Sequence, residues 1–86
     1  MKILIAKRAE KYLKKILKID QIAIVRKIRL LTSPSSNEEK LKGLKNIYRV
    51  RVGDYRIVFR RSKEKIFIVL IGHQKEIYQL FNRLFQ

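Results

Sequence analysis

The sequence predicts one small α+β domain over residues 1–86, with the element order β-α-α-β-β-β-α and a largely antiparallel sheet. Three observations indicate this class. Apolar residues recur at helical spacing near both ends of the chain. Between them, apolar and charged residues alternate, as in strands with one buried face. Two of these alternating segments are separated only by Gly53 and Asp54, a spacing typical of a β-hairpin.

The N-terminal third predicts one strand followed by two helices. Residues 2–6, KILIA, are rich in β-branched residues and short enough for a strand. The first helix has a predicted apolar stripe of Ala9, Tyr12, Leu13, Ile16 and Leu17, and the second a stripe of Ile24, Val25, Ile28 and Leu31. Asp20 is the predicted N-cap of the second helix. We expect the two helices to form an antiparallel hairpin packed on the sheet.

The remainder predicts three strands and a short helix. Residues 32–37, TSPSSN, are expected to form a loop, and residues 38–42 a short helical turn. Residues 66–72 are apolar at every position except the last, so this strand is predicted to lie centrally in the sheet. The predicted C-terminal helix has the stripe Ile77, Leu80, Phe81, Leu84 and Phe85.

The segment NIYRVRVGDYRIVFRR, residues 46–61, is the predicted hairpin and carries the densest positive charge. Successive side chains of a strand point to opposite faces, so Arg49 and Arg51 must share one face. Arg56 joins them if the hairpin register allows it. Three guanidinium groups on one small surface favour a polyanion such as a phosphate backbone. The alternative is that these arginines form only the solvated face of the hairpin.

Composition narrows the possible partners. The chain has 22 basic and 7 acidic residues, a net charge of +15, which favours an anionic partner and makes nucleic acid a candidate. A membrane surface and an acidic protein are the alternative anions. No Cys, a single His and scattered acids indicate neither a zinc nor a Mg²⁺ site, and no glycine-rich phosphate loop is present. The longest apolar run, residues 66–71, is too short to span a bilayer. We expect a cytoplasmic protein without metal, cofactor or membrane partner.

One reaction suits these residue types, namely RNA cleavage without a metal ion. The ribose 2′-OH attacks the adjacent phosphate, and fixed guanidinium groups stabilise the charge that develops. Proton transfer requires titratable groups, for which His73, Lys75 and Tyr78 are candidates. The alternatives are that His73 is a surface or capping residue and that Tyr78 belongs to the core or its rim.

The segments LKGLKNIYRVRVGDYRIVFR and IFIVLIGHQKEIY resemble the core signature of the RelE/ParE superfamily of toxins from type II toxin–antitoxin modules, and the N-terminal segment fits as well. The resemblance implies a RelE-like fold, neutralisation by a cognate antitoxin and, in the RelE branch, cleavage of mRNA on the ribosome. It also implies that Arg49, Arg51 and Arg56 hold the scissile phosphate while Tyr78 stacks on or orients a nucleotide. We expect Lys42, Lys45 and Lys75 to contact RNA.

His73 is the residue that we expect to transfer a proton, because an arginine hardly ever deprotonates. Gln74 follows it where family members often have an arginine. Two other functions stay open for this sequence. A ParE-like toxin would inhibit DNA gyrase and need no proton-transfer residue, and a non-catalytic module would bind RNA or the ribosome through charge alone.

Overall fold

A computed structural model describes residues 2–33 and 38–85, which form a five-stranded sheet and three helices. The strands are β1 (Lys2–Ile5), β2 (Glu39–Lys40), β3 (Ile47–Val52), β4 (Tyr55–Arg61) and β5 (Lys65–His73). The helices are α1 (Lys7–Lys15), α2 (Lys18–Leu30) and α3 (Ile77–Phe85). The strand order is β1-β5-β4-β3-β2, with β1 parallel to β5 and all other pairs antiparallel. The predicted α+β class and largely antiparallel sheet are confirmed.

The sheet is covered on both faces. One face, which we call the two-helix face, packs Val50, Ile57 and Phe59 against buried residues of α1 and α2. On the opposite face, a smaller core joins Val58 and Leu70 to Ile77 of α3. The strand β5 lies between β1 and β4, which agrees with the interior position expected from its apolar sequence.

The hairpin has the predicted tight turn. Val52 pairs with Tyr55, so Gly53 and Asp54 form a two-residue loop. Gly53 has a φ of 57°, a left-handed conformation that glycine adopts without the steric cost of a Cβ atom. This turn fixes the register of the whole β3–β4 pair.

A β-bulge interrupts the pairing of β4 with β5. Val58 pairs with Leu70 but Phe59 pairs with Ile68, so Val69 has no direct partner. An extra residue in one strand reverses the alternation of side chains beyond it. As a result, Gly72 lies opposite Arg56 and His73 lies opposite Tyr55.

Two predictions in the helical region were wrong. Asp20 is not an N-cap, because α2 begins at Lys18 with Leu17 as its N-cap, and Asp20 lies in the first turn. Leu17 does not belong to the stripe of α1, since that helix ends at Lys15 and Leu17 is exposed. The carboxylate of Asp20 still lies at the positive end of the helix dipole, and it accepts a hydrogen bond from Tyr55.

The helical turn predicted for residues 38–42 was also wrong. Glu39 and Lys40 instead pair with Arg49 and Tyr48 as the edge strand β2, and the Leu41 N–H donates to the Ile47 carbonyl. Pairing with β3 overrides the weak local preference of so short a segment. The predicted loop of residues 32–37 lies mostly outside the described residues. Within the described ranges, no helix is both long and apolar enough to cross a membrane.

Gly72 allows α3 to approach β5 closely. A Cβ atom at this position would lie 3.0 Å from the Cδ1 atom of Ile77 and 3.3 Å from that of Leu80. These distances are shorter than ordinary carbon–carbon contacts of about 3.5–4.0 Å. The absence of a side chain therefore sets how tightly α3 closes over this face of the sheet.

We expect Gly72→Ala to lower the free energy of unfolding by roughly 1–3 kcal/mol, as overpacking of a core does. Urea unfolding would measure this change. Ile77→Val removes the Cδ1 atom that the new Cβ would meet, so the alanine should cost less in that background. An equal cost in both backgrounds would show that the contact with Ile77 is not the cause.

Candidate phosphate-binding site on the arginine face

The register of the hairpin brings the three predicted arginines to one face. Arg51 lies directly opposite Arg56, and Arg49 lies two residues before Arg51 on β3. Directly paired residues of an antiparallel ladder share a face, as do residues two apart in one strand. We call this surface, formed by Arg49, Arg51 and Arg56, the arginine face. It is the side of the sheet on which α3 packs.

The backbone of the turn holds two of these arginines together. The carbonyl oxygen of Gly53 accepts from Nε of Arg51 at 3.4 Å and from Nη1 of Arg56 at 3.2 Å. Arg56 also donates from Nη1 to its neighbouring carbonyl at Tyr55, at 2.9 Å, and from Nη2 to Oε1 of Gln74 at 3.0 Å. A shared carbonyl dipole offsets part of the repulsion between like charges. Gln74 thus positions Arg56.

Arg49 is held by a carboxylate and a phenol. Its Nη2 lies 2.7 Å from Oε2 of Glu39, and its Nη1 donates to the hydroxyl of Tyr78. The guanidinium carbon also lies 5.5 Å from the centroid of the Tyr78 ring, a cation–π distance. The hydrogen bond to Glu39 raises the pKa of Arg49, so this arginine stays charged. The side chain of Tyr78 is itself largely exposed.

Glu39 is the functional candidate that sequence reasoning missed. Glu39 lies in strand β2, which has only two residues, too few for a recognisable alternation of apolar and polar side chains. Its partner Arg49 lies on the next strand along the chain. A short charged segment before a glycine, here EEKLKG over residues 38–43, occurs in loops as well as in edge strands. The pairing of Glu39 with Arg49 brings a carboxylate to the arginine face.

The structure does not bring His73 together with the arginines. Beyond the bulge, its side chain shares the two-helix face with Tyr55, with 5.8 Å between ring centroids. The N–H of His73 donates to the Tyr12 hydroxyl at 2.9 Å, and its Nδ1 accepts from the Lys75 N–H at 3.1 Å. Desolvation raises the pKa values of Tyr12 and Tyr55. This cluster therefore ties the sheet to α1 and α2 through hydrogen bonds and ring contacts.

The three predicted RNA-binding lysines lie at two different ends of the sheet. Lys42 and Lys45 are exposed in the connection before β3, whereas the arginine pair lies at its far end. A six-residue strand spans roughly 20 Å, so these lysines could meet only a different part of a bound chain. Lys75 is exposed in the connection after β5, next to Gln74.

The arginine face can bind phosphate in a way that surface lysines cannot. Its guanidinium groups are planar forks with fixed partners, and such forks match the oxygens of a phosphodiester. Beside them, an exposed carboxylate can accept a proton, and an exposed tyrosine ring offers a surface for stacking a base. These are the groups that phosphodiester cleavage by an internal hydroxyl requires.

Comparison with known proteins identifies relatives over most of the chain. The family described as the ParE toxin of type II toxin–antitoxin systems, parDE, matches residues 3–78. The chain is also 42% identical over 43 residues to Toxin RelE3 of Methanocaldococcus jannaschii. That match covers 50% of this chain and 49% of the relative, so it spans about half the length of the curated protein.

Solved structures extend the similarity to the whole fold. A chain of the RelB-RelE antitoxin-toxin complex from Methanococcus jannaschii is 30% identical, with a TM-score of 0.73 over 91% of this chain and 98% of that one. The isolated RelE toxin of E. coli is 22% identical, with a TM-score of 0.72 over 99% of this chain and 98% of that one. At 22% identity, the similarity to the E. coli toxin shows a shared fold and nothing more.

We expect Glu39→Gln to tighten binding of a single-stranded RNA with 2′-O-methyl riboses by about two- to fivefold, because phosphate no longer competes with an exposed ion pair for Arg49. Fluorescence anisotropy would measure the change. Glu10→Gln is the matched control, since it removes the same charge from an exposed pair with Lys14 on α1. If both variants gain equally, net charge alone is responsible.

Proposed function

The chain belongs to the ParE toxin family of type II toxin–antitoxin systems, and from this premise we propose that it is a ribosome-dependent mRNA endonuclease of the RelE type. The observation that carries the proposal is the arginine face, where three fixed guanidinium groups adjoin a carboxylate and a stacking tyrosine. A toxin that acts only by protein contact has no need of this combination. Such an activity requires the cytoplasm, where ribosomes translate mRNA.

In the proposed reaction, the 2′-OH of a ribose loses its proton to a base and attacks the adjacent phosphate, which breaks the bond to the 5′-oxygen of the next nucleotide. That oxygen takes up a proton from solvent, so the products are a 2′,3′-cyclic phosphate and a 5′-hydroxyl end. Arg51 and Arg56 bind the phosphate oxygens, and their hydrogen bonds to Gly53 and Gln74 hold them ready before substrate arrives. Fixed charges stabilise the transition state without reorganisation, which is the main source of their effect. Tyr78 stacks on or orients a nucleotide.

Glu39 is the group that best fits removal of the 2′-OH proton. It lies within hydrogen-bond distance of Arg49 on the arginine face, whereas His73 lies on the two-helix face. A general base must come within hydrogen-bond reach of the proton that it removes. The geometry thus favours Glu39 over His73, the residue expected from the sequence, and leaves His73 a structural role.

The proposed partners are the ribosome with its mRNA and a cognate antitoxin. A relative of this chain was solved in an antitoxin–toxin complex, which supports the antitoxin. The net charge of +15 supports attraction to ribosomal RNA and mRNA. Because the matching family is described as ParE, inhibition of DNA gyrase is the second candidate function.

Primer extension on a defined mRNA, with and without programmed ribosomes, tests the proposed activity. We expect breaks at the A-site codon only when ribosomes are present. Arg56→Ala should reduce the cleavage rate by about 10²–10³-fold, as loss of a preorganised donor does. Arg8→Ala, an exposed arginine on α1, is the matched control and should cleave like the wild type.

Two results would contradict this function. Intact mRNA together with loss of DNA supercoiling by gyrase would assign the chain to the ParE activity. Intact mRNA with RNA binding that weakens steeply with salt, and that survives Tyr78→Phe, would indicate a non-catalytic binding module.

A comparison of Glu39→Gln with His73→Asn tests the assignment of the proton acceptor. We expect Glu39→Gln to slow single-turnover cleavage by about 10²–10⁴-fold, the range for loss of a general base. His73→Asn should remain within about threefold of the wild type, because its side chain lies on the other face. If His73→Asn slowed cleavage more than Glu39→Gln, His73 and not Glu39 would be the proton acceptor. Circular dichroism would confirm that both variants are folded.

A further inference from the structure

Arg61, the last residue of β4, joins three parts of the fold. Its Nη1 donates to the carbonyl oxygen of Leu31, the C-cap of α2, at 2.8 Å, and its Nη2 pairs with Oε1 of Glu38. The guanidinium carbon also lies 5.5 Å from the ring centroid of Phe59 and 5.8 Å from that of Tyr48, both cation–π distances. A planar guanidinium can make all these contacts at once, which the ammonium group of a lysine cannot. Arg61 therefore ties residue 38 to α2 and to the sheet.

The ion pair of Arg61 with Glu38 is largely buried. Only 7% of the Glu38 side chain and 16% of the Arg61 side chain are exposed. By contrast, 65% of the side chain of the neighbouring Glu39 is exposed. A buried charge needs its partner, because removal of one leaves the other without water or a counter-ion. Glu38 is thus held in place, while Glu39 is accessible to a substrate.

The strand β2, which carries Glu39, is too short to hold itself in position. It has two residues, fewer than most strands of globular proteins, and it pairs with β3 at the edge of the sheet. On its C-terminal side, the Leu41 N–H donates to the Ile47 carbonyl at 2.9 Å. On its N-terminal side, Glu38 is held by Arg61. The position of Glu39 therefore depends on the contacts at both ends of β2.

Glu38 and Glu39 reach opposite faces of the sheet. Arg61 pairs with the buried Ile66 and so lies on the two-helix face, where Glu38 meets it. Glu39 pairs with Arg49 on the arginine face. Because successive side chains of an extended chain alternate between faces, fixing Glu38 on one face directs Glu39 to the other.

We propose that the ion pair of Glu38 with Arg61 positions Glu39 against Arg49, which makes Glu38 and Arg61 positioning residues for cleavage. The inference rests on the proposed function, in which Glu39 accepts the 2′-OH proton. Displacement of a reacting group by about 1 Å can cost about a hundredfold in rate. Because Glu38 and Arg61 meet on the two-helix face, their effect on the reaction passes through Glu39.

This role has a signature that general damage to the fold does not share. Glu39 competes with phosphate for Arg49, so loss of its anchor should strengthen RNA binding while it slows cleavage. A variant that is merely destabilised would lose binding and cleavage together. The two measurements therefore move in opposite directions only if the ion pair acts by placing Glu39.

Glu38→Ala in the full chain tests the proposal, and Glu10→Ala is the matched control, since it removes the same charge from an exposed residue of α1. Relative to this control, we expect Glu38→Ala to bind single-stranded RNA with 2′-O-methyl riboses about two- to fivefold more tightly. Single-turnover cleavage on programmed ribosomes should be about 10–100-fold slower. Hydrogen exchange should accelerate at the Leu41 N–H and stay unchanged in β5.

Two further variants make the test independent of one substitution. Arg61→Met removes the other partner, and Arg8→Met, which replaces an exposed arginine of α1, is its charge-matched control. The same tighter binding and slower cleavage are expected against that control. In a Glu39→Gln background, Glu38→Ala should change the cleavage rate by less than about twofold, because the carboxylate through which it acts is already absent.

Several outcomes would overturn the proposal. If Glu38→Ala cleaves and binds RNA like Glu10→Ala, Glu39 needs no anchor. Slower cleavage together with weaker binding, and faster exchange throughout the sheet, would make the ion pair a contributor to stability only. An undiminished effect of Glu38→Ala in the Glu39→Gln background would mean that it acts through another group. If the wild type does not cleave mRNA, the proposed function fails, while RNA binding and hydrogen exchange still decide whether the ion pair holds Glu39.

Discussion

The pairing of β3 with β4 determines which side chains of this protein can act together. The two-residue turn at Gly53 and Asp54 places Arg51 opposite Arg56. A slip of one residue would move every side chain of one strand to the other face of the sheet. The buried Val50 and Ile57 oppose such a slip, because it would bring them out of the core and arginines into it. The hydrophobic core thereby holds the arginine face in register.

The bulge at Val69 has an equally large effect on which face of the sheet the last residues of β5 occupy. Uninterrupted alternation from Ile66 would put His73 on the arginine face, which is what a proton-transfer role would need. The extra residue instead turns His73 toward Tyr12 and Tyr55, and it places Gly72 beneath α3. One unpaired residue therefore separates the histidine from the arginines and makes room for the helix that carries Tyr78.

Sequence reasoning predicted the parts of the site that follow from local periodicity. Alternation along β3 and β4 was sufficient to place Arg49 and Arg51 together and to anticipate Arg56. It failed where an interaction between distant segments decides the outcome. The pairing of Glu39 with Arg49 depends on a two-residue edge strand, and no strand pattern of that length differs from a loop. The capping role predicted for Asp20 failed because the N-cap of α2 is Leu17, three residues earlier, and sequence patterns locate helix ends poorly.

The contact between Glu39 and Arg49 links substrate binding to proton transfer in the proposed reaction. Before RNA binds, the carboxylate neutralises the arginine and is itself held by it. A phosphate that takes the guanidinium releases Glu39 at the place where the 2′-OH must lose its proton. Glu39 therefore weakens RNA binding, because the phosphate must displace it from Arg49, but it also accelerates cleavage, because it can then accept the 2′-OH proton. An ion pair of the free protein is replaced by two interactions that stabilise the transition state. Arginine suits this exchange better than lysine would, since its fork can keep one contact to Tyr78 while another passes to the phosphate.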